Sequence, residues 1–477
     1  MEANENRSAS QTTPRRRQRS KMQTFKEAYL PVIIAGIALV LILIFIIGSI
    51  SLKVQQRKAE AAASIASSIA QSEADAQLAL EAQDLIAKAE KLAAGYDYDG
   101  ALNLLRSFNG DFTKFEDLSN KITAYEHAKS QLVLWDDPSK ITNLSLQLLI
   151  ADPSRAYNHA VYADSFNRNF ITTEEFSRIL QQLYDNGYIL VNWDDFVTTE
   201  TLETGESVYR SKSLYLPNGK KPLMLTQTNV NYNIYLIDSD GDSLPDKNGG
   251  GFASKMILDE NGKITCEMVD ASGQTVTGAF DMVPILDAFV ESHPDFSYQG
   301  AKALLALTGY NGLFGYRTNA AAKEQFGEDA YNAAVAGAAQ IAQALQASGY
   351  QFACYSYENI SYGDSGVTEI QADLQDWTDE VVPILGNTDI LVYAQNDDIT
   401  SEETYSGDKY NALHALGFRH FIGFGQDGTT WINITDQYVR QGRTLISGAT
   451  LSLNSSWFTN LFDCASVLDK NRPQISG

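Results

Sequence analysis

The sequence predicts an α/β domain, either a barrel or a parallel sheet, preceded by a transmembrane helix and an α-helical stalk. Three observations predict this fold class. Residues 30–50 form an uncharged apolar run, and an Ala-, Gln-, Glu- and Lys-rich segment without Pro or Gly extends from Lys53 to Ala94. From Ile141 onward, short apolar strands alternate with helical segments, which is typical of barrels and parallel sheets.

The apolar run predicts a membrane anchor. Its 21 residues, at a rise of about 1.5 Å each, match a hydrocarbon core about 30 Å thick. Residues 1–29 hold seven Lys or Arg against three acidic residues, so we expect a disordered basic tail that stays in the cytoplasm. A cleaved secretory signal has a shorter apolar core. We therefore expect an uncleaved transmembrane helix at residues 30–51, a single pass through the cell membrane, and an extracytoplasmic location for the rest.

Residues 53–135 are predicted to form a helical stalk. Within it, Leu85 to Phe108 has the pattern of a helix, a Gly-Tyr-Asp turn and a second helix, similar to a single tetratricopeptide-like hairpin. One such hairpin cannot bury both of its faces. It packs on the stalk or on the following domain, or it binds a protein partner.

The net charge argues against a nucleic-acid partner, and the cysteine spacing argues against a disulfide framework or a cysteine-ligated zinc site. The net charge is −23, and nucleic-acid binding requires basic patches, so no nucleic-acid partner is expected. The three cysteines Cys266, Cys354 and Cys464 are far apart. They match neither a disulfide framework nor a zinc-ligand spacing.

Two helix ends in the α/β region can be placed from local signals. Thr172 with Glu175 three residues later is typical of a capping box at a helix start. Gly349 follows an Ala-rich helical segment and precedes an apolar strand, as expected of a residue just beyond a helix C-terminus.

The order of segments from Ile141 to about Leu451 resembles the polysaccharide deacetylase (NodB homology) family, and in particular its membrane-anchored Gram-positive members. The resemblance is strongest in the residues "FITTEEFSRILQQLYDNGYILVNWDDF" (170–196), "GKKPLMLTQTNVNY" (219–232), "FDMVPILDAFVESHPDFSYQGAKALLALTGYNGLFGYRTN" (280–319) and "LQASGYQFACYSYENIS" (345–361). It implies a distorted (β/α) barrel over residues 141–451, with residues 452–477 as a C-terminal extension.

The same resemblance implies metal-dependent removal of N-acetyl groups from cell-wall glycans, but the positions that would perform it are replaced. The family's paired aspartates fall on Thr228 and Asn229, and its two histidines, four residues apart, fall on Tyr355 and Asn359. A phenol keeps its proton near neutral pH, and an amide is a weak metal ligand. We therefore expect a degenerate site, a pseudoenzyme without catalytic zinc.

Neutral amides and phenols suit sugar binding, since they offer hydrogen bonds and stacking surfaces. The predicted ligand-binding residues are Thr228, Asn229, Asn231, Tyr355, Asn359 and Tyr393. The predicted partner is cell-wall glycan or an envelope protein. Two alternatives stay open: an active metal-dependent N-deacetylase with an unusual metal site, and a protein-interaction module that binds no glycan.

The segment "DSDGDSLPDKNGG", from Asp238 to Gly250, predicts a calcium site. Asp238, Asp240, Asp242 and Asp246 stand at positions 1, 3, 5 and 9 of a loop, a spacing at which carboxylate oxygens can converge on one Ca²⁺. The loop departs from an EF-hand, with Ser243 at position 6 and no Glu at position 12. The other interpretation is an acidic, solvated hairpin insertion.

Overall fold

A computed structural model of the chain describes residues 21–425 and 428–477, with side chains from residue 29 onward. Residues 1–20 of the predicted basic tail lie outside the described part. The chain divides into two units, the first ending at Glu81 and the second comprising Ala82–Gly477.

The secondary-structure elements follow in two sets. The helices are α1 (Lys21–Ala94), α2 (Tyr98–Arg106), α3 (Glu116–Ser130), α4 (Pro153–Tyr157), α5 (Ala163–Asn169), α6 (Thr173–Asp185), α7 (Ile234–Ile237), α8 (Met282–Ser292), α9 (Ala320–Phe326), α10 (Glu328–Ala347), α11 (Val367–Asp376), α12 (Val382–Leu385), α13 (Gly407–Ala415), α14 (Gly448–Leu453) and α15 (Cys464–Val467). The strands are β1 (Val133–Trp135), β2 (Thr142–Leu146), β3 (Tyr188–Leu190), β4 (Val197–Thr201), β5 (Ser207–Ser211), β6 (Leu214–Leu216), β7 (Lys221–Thr228), β8 (Lys255–Leu258), β9 (Ile264–Val269), β10 (Thr275–Gly278), β11 (Leu304–Leu307), β12 (Gln351–Cys354), β13 (Ile390–Val392), β14 (His420–Phe424), β15 (Ile432–Ile434) and β16 (Val439–Leu445).

Helix α1 contains the apolar run. By length and composition it can cross a membrane. Its apolar side chains are exposed, Leu39 by 62% and Phe45 by 77%, so the run is not a core helix of a soluble domain. This exposure is what contact with lipid requires.

The second unit is built around a closed parallel barrel, which resolves the alternative of barrel or sheet. Within the described residues, seven strands pair in the order β11-β12-β13-β14-β16-β2-β7, and β7 pairs with β11 to close the ring. Strand β3 extends β7 in parallel, and β15 lies antiparallel to β16.

Alternation along the strands gives the barrel two apolar layers. Met224, Ala306 and Ile422 belong to an inner cluster. Their neighbours in sequence, such as Leu225 and Leu305, pack with helix residues in an outer cluster. This is the period-two pattern of strands that are buried on both faces.

The predicted helix ends are confirmed. Thr172 caps α6 and exchanges hydrogen bonds with Glu175 in a capping box. Gly349, with φ +94°, lies just beyond α10, in a left-handed conformation that glycine adopts without a steric penalty. The three cysteines are free and buried.

The C-terminal residues pack against α6 through a buried ion pair. Arg472 Nη2 lies 2.5 Å from Glu175 Oε2, and Arg472 Nε donates to Glu175 Oε1 at 2.8 Å. Both side chains are almost completely buried. The segment therefore shares the core of the barrel domain.

Candidate functional site

The first predicted motif lies at the carboxyl end of β7, in a network of neutral groups. Thr308 Oγ1 donates to Asn229 Oδ1 at 2.9 Å and accepts from Asn231 Nδ2 at 2.8 Å. Thr228 Oγ1 donates to the Leu146 carbonyl at 3.3 Å. Asn229 has φ 60°, a left-handed conformation in which asparagine is enriched. The motif is thus a polar turn in which Thr228, Asn229 and Asn231 themselves supply neither an acid nor a base.

The second motif follows β12. Tyr355 is buried and Asn359 is partly exposed. Asp373 of α11 holds the turn between them, since its carboxylate accepts the Tyr357 amide at 2.8 Å and the Glu358 amide at 2.7 Å. The Asn359 carbonyl accepts from Gln395 Nε2 at 3.1 Å. The motif is therefore linked to the loop that follows β13.

A buried arginine that the sequence analysis missed lies beside Tyr355. The Arg443 guanidinium is 6.0 Å from the Tyr355 ring centroid. It donates to the Tyr393 carbonyl at 3.1 Å, to Asn396 Oδ1 at 2.8 Å and to two carbonyls of β14. Burial lowers the pKa of Arg443. The arginine ties the carboxyl ends of β13 and β14 together.

The predicted binding residues are mostly inaccessible. Thr228, Asn231, Tyr355 and Tyr393 are all buried, and Tyr393 is fully so. The Tyr393 ring stacks on Phe421 at 6.3 Å, within the outer core layer. A ligand approaching this end of the barrel would first meet the loops around these residues.

The loop after β13, the end of β14, and strands β15 and β16 enclose a cleft of about 720 Å³, which we call the Trp431 cleft. Its volume lies in the range of small-molecule binding sites. Its lining residues are Asn396, Asp397, Asp398, Thr400, Ser401, Glu402, Glu403, Phe424, Trp431, Ile432, Asn433 and Arg440.

Trp431 forms an aromatic wall of this cleft and is held against β16. A Cβ atom added at Gly442 would lie 2.3 Å from Trp431 Nε1, so this close approach requires a glycine. The guanidinium of Arg440 lies 5.4 Å from the Trp431 ring and 4.4 Å from the Tyr405 ring. These contacts fix the orientation of the indole.

Asp398 and Arg440 form an ion pair in the wall of the cleft. Arg440 Nη2 is 3.0 Å from Asp398 Oδ2, and the Tyr405 hydroxyl donates to the same carboxylate at 2.8 Å. Burial raises the pKa of Asp398, and the adjacent guanidinium opposes that rise. The pair is structural, because each of its members is fully hydrogen-bonded.

The acidic loop lies elsewhere, between α7 and β8. The carboxylates of Asp238, Asp240 and Asp246 come within 4.8 Å of one another, whereas Asp242 is outside this group and accepts the Leu244 amide at 2.8 Å. Although burial acts to raise it, hydrogen bonds from Ser239 and from backbone amides lower the pKa of Asp246. Three of the four predicted ligands are therefore brought together.

Comparison with known proteins does not assign a function to this chain. The chain matches no protein-family model and no curated protein sequence. Among solved structures it is similar to the Streptococcus pyogenes deacetylase PplD in complex with acetate, with 15% identity and a TM-score of 0.33, over 65% of this chain and 94% of that chain. At this identity and TM-score, the likeness assigns neither a reaction nor a ligand to this chain.

Proposed function

We propose that this chain is a membrane-anchored, extracytoplasmic glycan-binding protein whose deacetylase-like barrel has lost metal-dependent hydrolysis. The observation that supports loss of catalysis is that Thr228 and Asn229 at the end of β7, and Tyr355 and Asn359 after β12, are all neutral side chains. Among the residues that the structure describes, the one group of three carboxylate, imidazole or thiol side chains close enough to share a metal is in the acidic loop. Metal-dependent deacetylation requires such a group beside the substrate.

The Trp431 cleft supports glycan binding. It combines the partly exposed indole of Trp431 with the amides of Asn396 and Asn433 and the hydroxyls of Thr400 and Ser401. Aromatic faces stack on the apolar faces of sugar rings, while amides and hydroxyls pair with sugar hydroxyls. We assign the bound glycan to this cleft.

A binding assay on the full-length protein tests this function. The protein is kept in a detergent without a sugar head group and titrated with peptidoglycan fragments and N-acetylglucosamine oligomers. Trp431→Ala should weaken binding about tenfold, because an aromatic contact contributes roughly 0.5–1.5 kcal/mol beyond area burial. Tyr215→Ala, at a ring that is 47% exposed on β6, is the matched control. Absence of binding by the unmodified protein would refute the proposal.

Acetate release separates this function from the active-enzyme alternative. The same preparation, supplied with Zn²⁺ and N-acetylated oligomers, should release no acetate. Stoichiometric zinc together with acetate release would instead establish a deacetylase. Capture of a protein partner that is lost on deletion of residues 85–108, without glycan binding, would establish the interaction module.

We also propose that the acidic loop binds Ca²⁺ as a structural ion. The support is the convergence of Asp238, Asp240 and Asp246. Millimolar affinities are typical of extracellular calcium modules. In the proposed orientation the basic tail is cytoplasmic and the acidic loop is extracytoplasmic, where a weak calcium site can be occupied. This orientation predicts that a C-terminal epitope is accessible on intact cells.

A further inference from the structure

We infer that the Trp431 cleft selects a saccharide bearing a protonated amine, that is, an amino sugar without its acetyl group. This inference rests on the proposed glycan binding and adds the chemical class of the ligand. It follows from the net negative charge of the residues that line the cleft once the Arg440–Asp398 ion pair is subtracted.

The lining contains more negative charge than its own cation neutralises. Arg440 pairs with Asp398. Asp397, Glu402 and Glu403 make no ion pair with any residue that the structure describes. Ser361 Oγ donates to Asp397, and the two glutamates are exposed. The lining therefore includes three acidic residues that have no cationic partner in the described part of the chain.

Arg440 is not free to attract an anionic ligand. Its Nε and Nη2 donate to Asp398, at 3.2 and 3.0 Å, and Nη2 also donates to the Thr400 carbonyl at 2.9 Å. Its Nη1 donates to the carbonyls of Glu402 and Glu403. All five N–H groups of the guanidinium are thus occupied.

The second arginine nearby is equally unavailable. Arg443 is 1% exposed and lies behind Asn396, to which it donates at 2.8 Å. It holds the wall of the cleft from the inside and does not contribute to its surface. Among the described residues that line the cleft, none therefore offers a free cationic donor to an anionic sugar.

A protonated amine fits what remains. An ammonium group is attracted both to carboxylates and to the face of a tryptophan ring. An N-acetyl group on the same carbon has no charge and gains neither attraction. The discrimination is therefore between two forms of the same sugar that differ by one acetyl group.

The test compares two ligands of equal length. Full-length protein in the same detergent is titrated with N-acetylglucosamine tetramers and with fully de-N-acetylated tetramers, at a pH at which the amine is protonated. We expect about tenfold tighter binding of the de-N-acetylated tetramer, and a loss of that preference as salt is raised.

Two matched double variants distinguish an effect of the cleft residues on the binding preference from an effect of the net charge of the chain. Glu402→Gln with Glu403→Gln should reduce the preference about fivefold, since it removes two of the three acidic residues of the lining that have no described cationic partner. Glu203→Gln with Glu206→Gln removes the same charge from the exposed β4–β5 hairpin and should leave the preference unchanged.

Each outcome decides between the two proposals. Equal or tighter binding of the N-acetylated tetramer would overturn the amine preference and leave glycan binding intact. An equal effect of both variant pairs would also overturn it, because the preference would then come from net charge. Binding of neither tetramer would overturn both proposals.

Discussion

Replacing Asp373 with asparagine should destabilise the turn after β12, because one buried carboxylate accepts four hydrogen bonds there. Its Oδ1 accepts the Glu358 amide at 2.7 Å and the Ser356 hydroxyl at 3.1 Å. Its Oδ2 accepts the Tyr357 amide at 2.8 Å and the Tyr362 hydroxyl at 2.6 Å. An asparagine keeps only one of the two acceptor oxygens.

The size of the effect follows from the donors that lose their acceptor. Whichever oxygen becomes an NH₂ group, one backbone amide and one hydroxyl then face a donor. A buried amide without an acceptor costs about 1–3 kcal/mol, and a hydroxyl that must turn away loses about 0.5–1.5 kcal/mol. We expect a loss of about 3 kcal/mol in the free energy of unfolding.

Urea unfolding followed by tryptophan fluorescence measures this loss. All five tryptophans lie between residues 135 and 457, so the signal reports on the barrel domain and not on the apolar run. Asp376→Asn, on the exposed face of the same helix, should change stability by less than about 0.5 kcal/mol. Equal losses of stability in the two variants would show that the hydrogen bonds to Asp373 do not hold the turn.

Three further predictions concern pH, calcium and the C-terminal segment. Burial raises the pKa of Asp195 to about 6, so the folded protein holds this proton more tightly than the unfolded chain does. The protonated Asp195 therefore contributes fully to the free energy of unfolding below a pH of about 4, and this contribution is lost as the pH rises through about 6. In the unmodified protein the free energy of unfolding should fall by about 3 kcal/mol over this pH range, and Asp195→Asn should remove that fall. Urea titrations at successive pH values measure it, and the same pH profile in both proteins would contradict the prediction. Addition of 10 mM Ca²⁺ (about ten times a millimolar Kd) should stabilise the protein by about 1.4 kcal/mol in thermal melts, and Asp238→Asn with Asp246→Asn should abolish the shift; a shift that survives places the ion elsewhere. Arg472→Met should cost about 3–5 kcal/mol in urea because it leaves Glu175 buried and unpaired, whereas Glu175→Gln with Arg472→Met should cost less; equal losses would show that charge burial is not the cause.

The sequence predicted the elements whose signals are local. The Thr172–Glu175 box and Gly349 depend on residues within a few positions of a helix end, and both are found as expected. The strand–helix alternation predicted a barrel or a sheet but could not decide between them. That decision depends on whether β7 pairs with β11, a contact between strands about 80 residues apart in the chain.

Residue type alone does not show what a ligand can reach. Tyr355 and Tyr393 follow strand ends and have suitable side chains, but both are buried, and burial depends on the loops that cover them. Asn229 and Asn359 have a local reason to be asparagine, since both adopt φ near +60°. Their presence therefore does not by itself indicate a ligand.

The Trp431 cleft could not be predicted because no short stretch of sequence contains it. Its wall joins the loop after β13 to β15 and β16, and Trp431 is placed by Gly442, eleven positions further along the chain. The same distant contacts set its charge: Arg440 of β16 reaches Asp398 and neutralises it, whereas Asp397 and the two glutamates have no ion-pair partner among the described residues. A count of charges along the sequence gives one basic and four acidic residues here, but only the pairing shows that the basic one is fully occupied. The expected preference for a cationic sugar therefore depends on tertiary structure, even though every residue that produces it is visible in the sequence.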